Sequence, residues 1–77
     1  MKICTLDEVE VGERAIVKGL RTKGSMRRRL LDIGLCSGTT VECVGRSPMG
    51  DPSAYLIRGA VIAIRAADCK EVIVRGI

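Results

Sequence analysis

Short runs rich in β-branched residues, separated by turn signals, extend along most of this chain and set its fold class. The pattern predicts five strands, at 14–20, 39–46, 54–57, 60–65 and 71–75. One helical segment follows the first strand. Closing such a small sheet on itself would remove its exposed edges. We therefore predict a mainly β fold, a small five-stranded barrel with one α-helix inserted after the first strand. An open sheet covered by the helix is the alternative.

Length and composition limit the chain to one compact unit. It has 77 residues, of which 47% are apolar, so disorder is excluded and residues 1–77 are expected to form a single domain. Apolar runs stay well short of the roughly 20 residues that a membrane-spanning helix needs. The first residues lack the apolar region of a signal peptide. We therefore expect a cytoplasmic protein.

The segment 24–35 predicts the inserted helix. Ser25 is the candidate N-cap, and Gly34 is the candidate glycine just after the C-terminal end. The apolar positions on one face are Met26, Leu30 and Ile33, at spacings of four and seven. With Gly34 in the left-handed conformation, Leu35 is expected to fold back onto Leu30, as in a Schellman motif.

Positive charge is concentrated beside and within this helix. The net charge is +4, but the stretch 14–29 holds seven of the 13 Lys and Arg residues and no acid. Starting the helix after Ser25 places three arginines in its first turn, where the helix dipole disfavours each by about 0.3–1 kcal/mol. We therefore expect them to contact an acidic partner, although one of them could instead pair with an acid of the barrel. The candidate partner-binding residues are Arg27, Arg28, Arg29, Arg21, Lys23 and Met49.

Met49 is included because it lies at the tip of the clearest loop, 47–52, which has two prolines and a glycine. An apolar side chain exposed on a stiff loop favours contact with a partner. A rigid connector without a binding role is the alternative.

The four cysteines have none of the spacings of a zinc ribbon, and the chain has no histidine. We expect Cys43 and Cys69 to be reduced and buried, whereas Cys4 and Cys36 are harder to place. No catalytic residue, metal site or cofactor is predicted, because neither an activated nucleophile nor a phosphate-binding glycine loop is present. Specific nucleic-acid binding is not expected either, since Tyr55 is the single aromatic residue available for base stacking.

Several motifs in a fixed order resemble those of the FeoA family. They are the helix 28–35 followed by Gly38-Thr39, the loop 48–52, the turn Arg58-Gly59 and the strand 63–65. The resemblance runs from Leu6 to about Val74. Val11, Cys36 and Ser37 depart from the family pattern, in which proline is usual at the first position and Thr-Pro is frequent at the other two.

This resemblance implies an SH3-like barrel and a role in bacterial ferrous iron uptake. The implied partner is FeoB, the membrane protein that imports Fe²⁺ and has a cytosolic GTPase domain, so that the chain would be recruited to the inner face of the membrane. Weak homo-oligomer formation through an edge strand is left open. The alternative is a stand-alone SH3-like domain that acts as a metal-responsive regulator or as a nucleic-acid-binding module.

Overall fold

The computed structural model describes residues 2–77, and these form six strands, two α-helices and one 3₁₀ turn. The strands are β1 Ile3–Thr5, β2 Arg14–Leu20, β3 Thr40–Arg46, β4 Ser53–Ile57, β5 Ala60–Ile64 and β6 Val72–Gly76. The helices are α1 Gly24–Asp32 and α2 Ala66–Cys69, and the 3₁₀ turn is Leu6–Glu8. The five predicted strands are confirmed, each to within one residue at either end. The first strand, β1, was not predicted.

All six strands form one antiparallel sheet in the order β1-β6-β2-β3-β4-β5. The mainly β architecture with an inserted helix is therefore confirmed, but the hydrogen-bonded ladder of residues 2–77 does not close. β1 and β5 are its two edges. Between them, α2 lies against the 3₁₀ turn. β2 and β3 each carry an irregularity, at 17–19 and 43–45, which bends the sheet around its core.

The core is built from the inward-facing positions of the strands. Val41 and Cys43 are fully buried and their neighbour Val44 is exposed, as the alternation in this strand predicts. Tyr55 is also fully buried, and its hydroxyl lies 3.4 Å from the carbonyl oxygen of Leu6, to which it donates. The single aromatic side chain of the protein thus joins β4 to the 3₁₀ turn across the open side of the sheet.

The C-terminal end of α1 follows the prediction closely. Gly34 has φ +103°, which a glycine adopts without strain. Its N–H donates to the carbonyl of Leu31 at 3.0 Å, and the N–H of Leu35 donates to that of Leu30 at 3.1 Å. These two hydrogen bonds define a Schellman motif. Leu30 and Leu35 are both buried, so the motif attaches the helix to the core.

The start of α1 differs from the prediction. The helix begins at Gly24 with Lys23 as its N-cap, so the assignment of Ser25 as the N-cap was wrong. The helix is thus two residues longer at this end, and the three arginines lie beyond its first three positions. The expected dipole penalty is correspondingly small, and Arg29 lies in the last turn, where positive charge is favourable.

Candidate functional site

The basic residues predicted to bind a partner lie on or beside α1. We define the helical basic surface as Arg21, Lys23, Arg27 and Arg28, all of which are exposed. Two salt bridges occur within residues 2–77, and neither involves these four side chains. Their charges are therefore uncompensated at short range. They also cost little to hold at the surface, because they remain hydrated.

Arg29 has a different environment from the other two helix arginines. Its Nη2 lies 2.6 Å from Oδ2 of Asp68 on α2, and also 3.5 Å from the sulfur of Met26. The side chain of Asp68 is largely buried, whereas that of Arg29 remains more than half exposed. This ion pair ties the two helices together. Pairing of one helix arginine with an acid of the barrel was one of the two predicted outcomes.

The loop 47–52 presents Met49 to solvent with 90% of its surface exposed. Its backbone is held by short hydrogen bonds, from the N–H of Gly50 to the carbonyl of Ser47 (2.8 Å) and from Oγ of Ser47 to the carbonyl of Asp51 (2.8 Å). Oδ1 of Asp51 accepts a hydrogen bond from the N–H of Ala66 at 2.9 Å. The loop is therefore fixed to one end of α2, while Arg29 is fixed to the same short helix through its ion pair.

The structure contains a feature that the sequence did not indicate, a shallow groove of about 330 Å³ between the end of α1 and β5. Its walls include Ile33 at the C-cap of the helix, Ile62 on the strand and the Arg29–Asp68 pair. The partners of that pair are 39 positions apart in the sequence. No local pattern links residues at such a separation, so only an alignment of many relatives could have signalled the contact.

The four cysteines are all free thiols and fall into two classes. Cys43 and Cys69 are buried, as predicted, and Cys4 and Cys36 are half-buried. Burial raises the pKa of Cys69 to about 11, with a smaller opposing effect from its contact with Tyr55. Burial, and in second place nearby Glu8, also raises the pKa of Cys4. Raised pKa values keep both thiols protonated at neutral pH, which makes them weak nucleophiles and weak metal ligands.

The buried Cys69 thiol should make the fold sensitive to alkali. The unfolded chain releases this proton near pH 9, but the folded chain holds it to about pH 11. The unfolded state therefore binds fewer protons in this range, and the free energy of unfolding should fall by about 2 kcal/mol by pH 11. Urea denaturation at half-unit steps from pH 8 to pH 11 measures the fall. In the Cys69→Ala variant the fall in the free energy of unfolding should be smaller. Identical pH profiles for the two proteins would contradict the attribution of the fall to Cys69.

Across residues 2–77, no three His, Cys, Asp or Glu side chains come close enough together to share a metal ion. In the same stretch no helix is long and apolar enough to cross a membrane. What the fold presents is a charged helix, a stiff loop and an open strand edge on a small scaffold.

The fold is thus that of a small SH3-like domain, with a charged helix, a stiff loop and an open strand edge exposed on its surface. A family model described as the FeoA domain matches residues 4–76, and this chain belongs to the FeoA family. The resemblance found in the motifs is therefore confirmed.

Three relatives illustrate the similarity. The structure of a FeoA-like protein from Clostridium acetobutylicum is 32% identical and superimposes with a TM-score of 0.91, over 100% of this chain and 90% of that one. FeoA from Stenotrophomonas maltophilia, a prokaryotic SH3-domain protein crystallised with zinc, is 27% identical with a TM-score of 0.80 over 91% and 87%. An Fe²⁺ transport protein A/FeoB fusion protein of Porphyromonas gingivalis is 29% identical over 87% of this chain. This chain spans only 8% of that fusion protein.

Proposed function

We propose that this protein is a non-enzymatic accessory of ferrous iron uptake that docks on the cytosolic part of FeoB and modulates Fe²⁺ import. The observation that carries the proposal is the Porphyromonas gingivalis relative, in which a FeoA and a FeoB are parts of one fusion protein. Covalent linkage keeps two domains at a high effective concentration. A FeoA that is a separate chain must supply the same proximity through its own contacts. Its place would then be the cytosol, at the inner face of the membrane.

The helical basic surface is the part of the molecule best suited to this encounter. Arg27 and Arg28 are exposed and free of salt bridges, whereas Arg29 already neutralises Asp68. Unpaired charges on a rigid helix accelerate association with an acidic surface and determine its orientation. Met49 supplies an exposed apolar contact on a loop that is held to α2 through Asp51.

A capture experiment tests the proposal. The purified protein is immobilised, and binding of the FeoB cytosolic domain from the same organism is measured at low and physiological salt. Arg27→Glu/Arg28→Glu should bind at least tenfold more weakly than the wild type, because it replaces two attractive charges with two repulsive ones. Arg29 is left unchanged so that the contact between the helices survives.

The matched control is Lys2→Glu/Arg14→Glu, which makes the same change in net charge on a different groove that contains neither α1 nor its arginines. It should bind FeoB more tightly than the helix variant does. Equal weakening by both variants would show that net charge alone accounts for the loss of binding. It would reject the helical basic surface as the FeoB-binding site. Absence of wild-type binding at every salt concentration would reject FeoB docking altogether.

A further inference from the structure

The strand β5 is an open edge of the sheet. It is joined to β4 by the two-residue turn Arg58-Gly59, in which both φ angles are positive (50° and 83°), as in a type I′ hairpin. In such a hairpin the pair that flanks the turn is hydrogen-bonded, and hydrogen-bonded and unbonded residues then alternate along the strand. Ala60, Ile62 and Ile64 therefore bond to β4. Val61 and Ala63 direct their N–H and C=O groups away from the sheet.

This edge lacks the features that protect most exposed edges. Natural proteins protect edge strands with charges, prolines, bulges or a covering element. All five residues of β5 are apolar, its pairing with β4 is regular, and Val61 is 65% exposed. An unprotected edge of this kind presents free main-chain donors and acceptors to any extended segment of matching length.

The groove beside β5 provides room for the side chains of an added strand. The groove has a volume of about 330 Å³, and its apolar walls are Ile33, at the C-cap of α1, and Ile62 of β5. Val61 lies on the opposite face of β5 and is exposed to solvent. Because side chains of a strand alternate between its two faces, an added segment would place every second residue in this groove. The remaining residues would lie beside Val61 and Ala63.

The charges around the edge indicate what the segment must carry. Arg65 follows β5, is exposed and lines the groove, whereas Arg58, in the turn before β5, donates to Oγ1 of Thr39 at 3.3 Å, beside the start of β3. The nearby acids are already engaged, Asp68 with Arg29 and Asp51 with the N–H of Ala66. The charge of Arg65 therefore favours a segment with an apolar centre and acidic residues at the end that lies beside Arg65. Pairing of two copies through β5, centred on Ile62, would instead bring Arg65 of each copy beside the Arg58 turn of the other.

We propose that β5 is a docking site for an extended acidic segment of a partner protein, which adds to the sheet as a seventh strand. Main-chain hydrogen bonds to Val61 and Ala63 hold the segment. The groove beside α1 selects its apolar side chains, and Arg65 selects acids at the end of the segment beside it. The proposal goes beyond docking on FeoB, since it holds whichever protein supplies the segment.

A peptide titration followed by NMR tests the site directly. The probe is a capped eight-residue peptide with alternating valine and threonine in the centre and two acidic residues at each end. Saturable amide shifts should centre on β5, and hydrogen exchange at Val61 and Ala63 should slow at least tenfold on binding. A matched peptide with lysines in place of the acids should bind at least tenfold more weakly. Equal binding of the two peptides, or shifts centred elsewhere, would overturn the proposal.

Two variants separate the edge from the fold. Ala63→Pro removes an N–H that β4 does not use, and Val61→Glu places on an exposed edge position a charge that repels an acidic segment. Both should keep the wild-type spectrum outside β5 and lose at least tenfold in affinity for the acidic peptide. Arg65→Glu reverses the charge beside the groove and should also weaken binding. Undiminished binding by the folded Val61→Glu variant would overturn the proposal. So would a peptide-free dimer of the wild type that this substitution abolishes.

Discussion

Tyr55→Ala is expected to remove a large part of the stability of the protein. The ring of Tyr55 is fully buried at the centre of the core, and removing a buried aromatic ring costs about 3–5 kcal/mol. A domain of this length has a total stability of about 4–12 kcal/mol. The variant also loses the link between β4 and the 3₁₀ turn at Leu6, on the side where the sheet is open. Urea denaturation followed by circular dichroism measures the loss.

Two controls divide this effect into its parts. Tyr55→Phe keeps the ring and removes only the hydroxyl, which donates to Leu6 and lies 3.5 Å from the sulfur of Cys69. We expect this variant to lose about 1 kcal/mol, the usual net value of one hydrogen bond. Leu56→Ala, at the adjacent and exposed position of β4, should change stability by less than about 1 kcal/mol. A Tyr55→Ala protein that loses no more than this surface control would show that the ring does not organise the core.

The features that the sequence predicted are those fixed by neighbouring residues. Strand alternation placed Val41 and Cys43 in the core, and a glycine after an apolar stripe located the end of α1. β1 has only three residues, and it is a strand because it pairs with β6 at the other end of the chain. Three residues are too few to show a periodicity, so the structure was needed to find this strand.

The features of the site fall into the same two groups, those that neighbouring residues determine and those that depend on residues far apart in the chain. A basic segment around α1 was visible in the composition, and so was an exposed Met49 in a loop rich in proline and glycine. The ion pair of Arg29 and the groove beside β5 depend on how α1 and α2 pack, which involves residues far apart in the chain. The error at Ser25 has a local cause. Gly24 has a positive φ of 69° and is the first residue of the helix. Serine is a strongly preferred N-cap residue, and so the sequence favoured a helix that starts after Ser25.

The Gly34→Ala variant should lose about 2–5 kcal/mol, because two independent costs fall on one methyl group. The first is backbone strain, since Gly34 has φ +103°. The second is crowding, since the new Cβ would lie 3.0 Å from Cγ2 of Ile57, a buried atom of the core. Relief of the crowding requires the end of α1 to move away from β4. Urea denaturation of the variant and the wild type measures the difference.

Gly38→Ala is the matched control for the Gly34 variant. Gly38 has a similar φ of +92°, but a Cβ added there would meet no atom within 4 Å. The control should therefore show the strain alone, about 1–2 kcal/mol. The excess loss in Gly34→Ala then measures how firmly the Schellman turn holds α1 against the sheet. The same helix carries Arg27 and Arg28 and lines the groove with Ile33, so a displaced α1 should also weaken FeoB capture. Equal losses in the two variants would mean that α1 is free to shift, and that neither contact surface is held rigidly by this end of the helix.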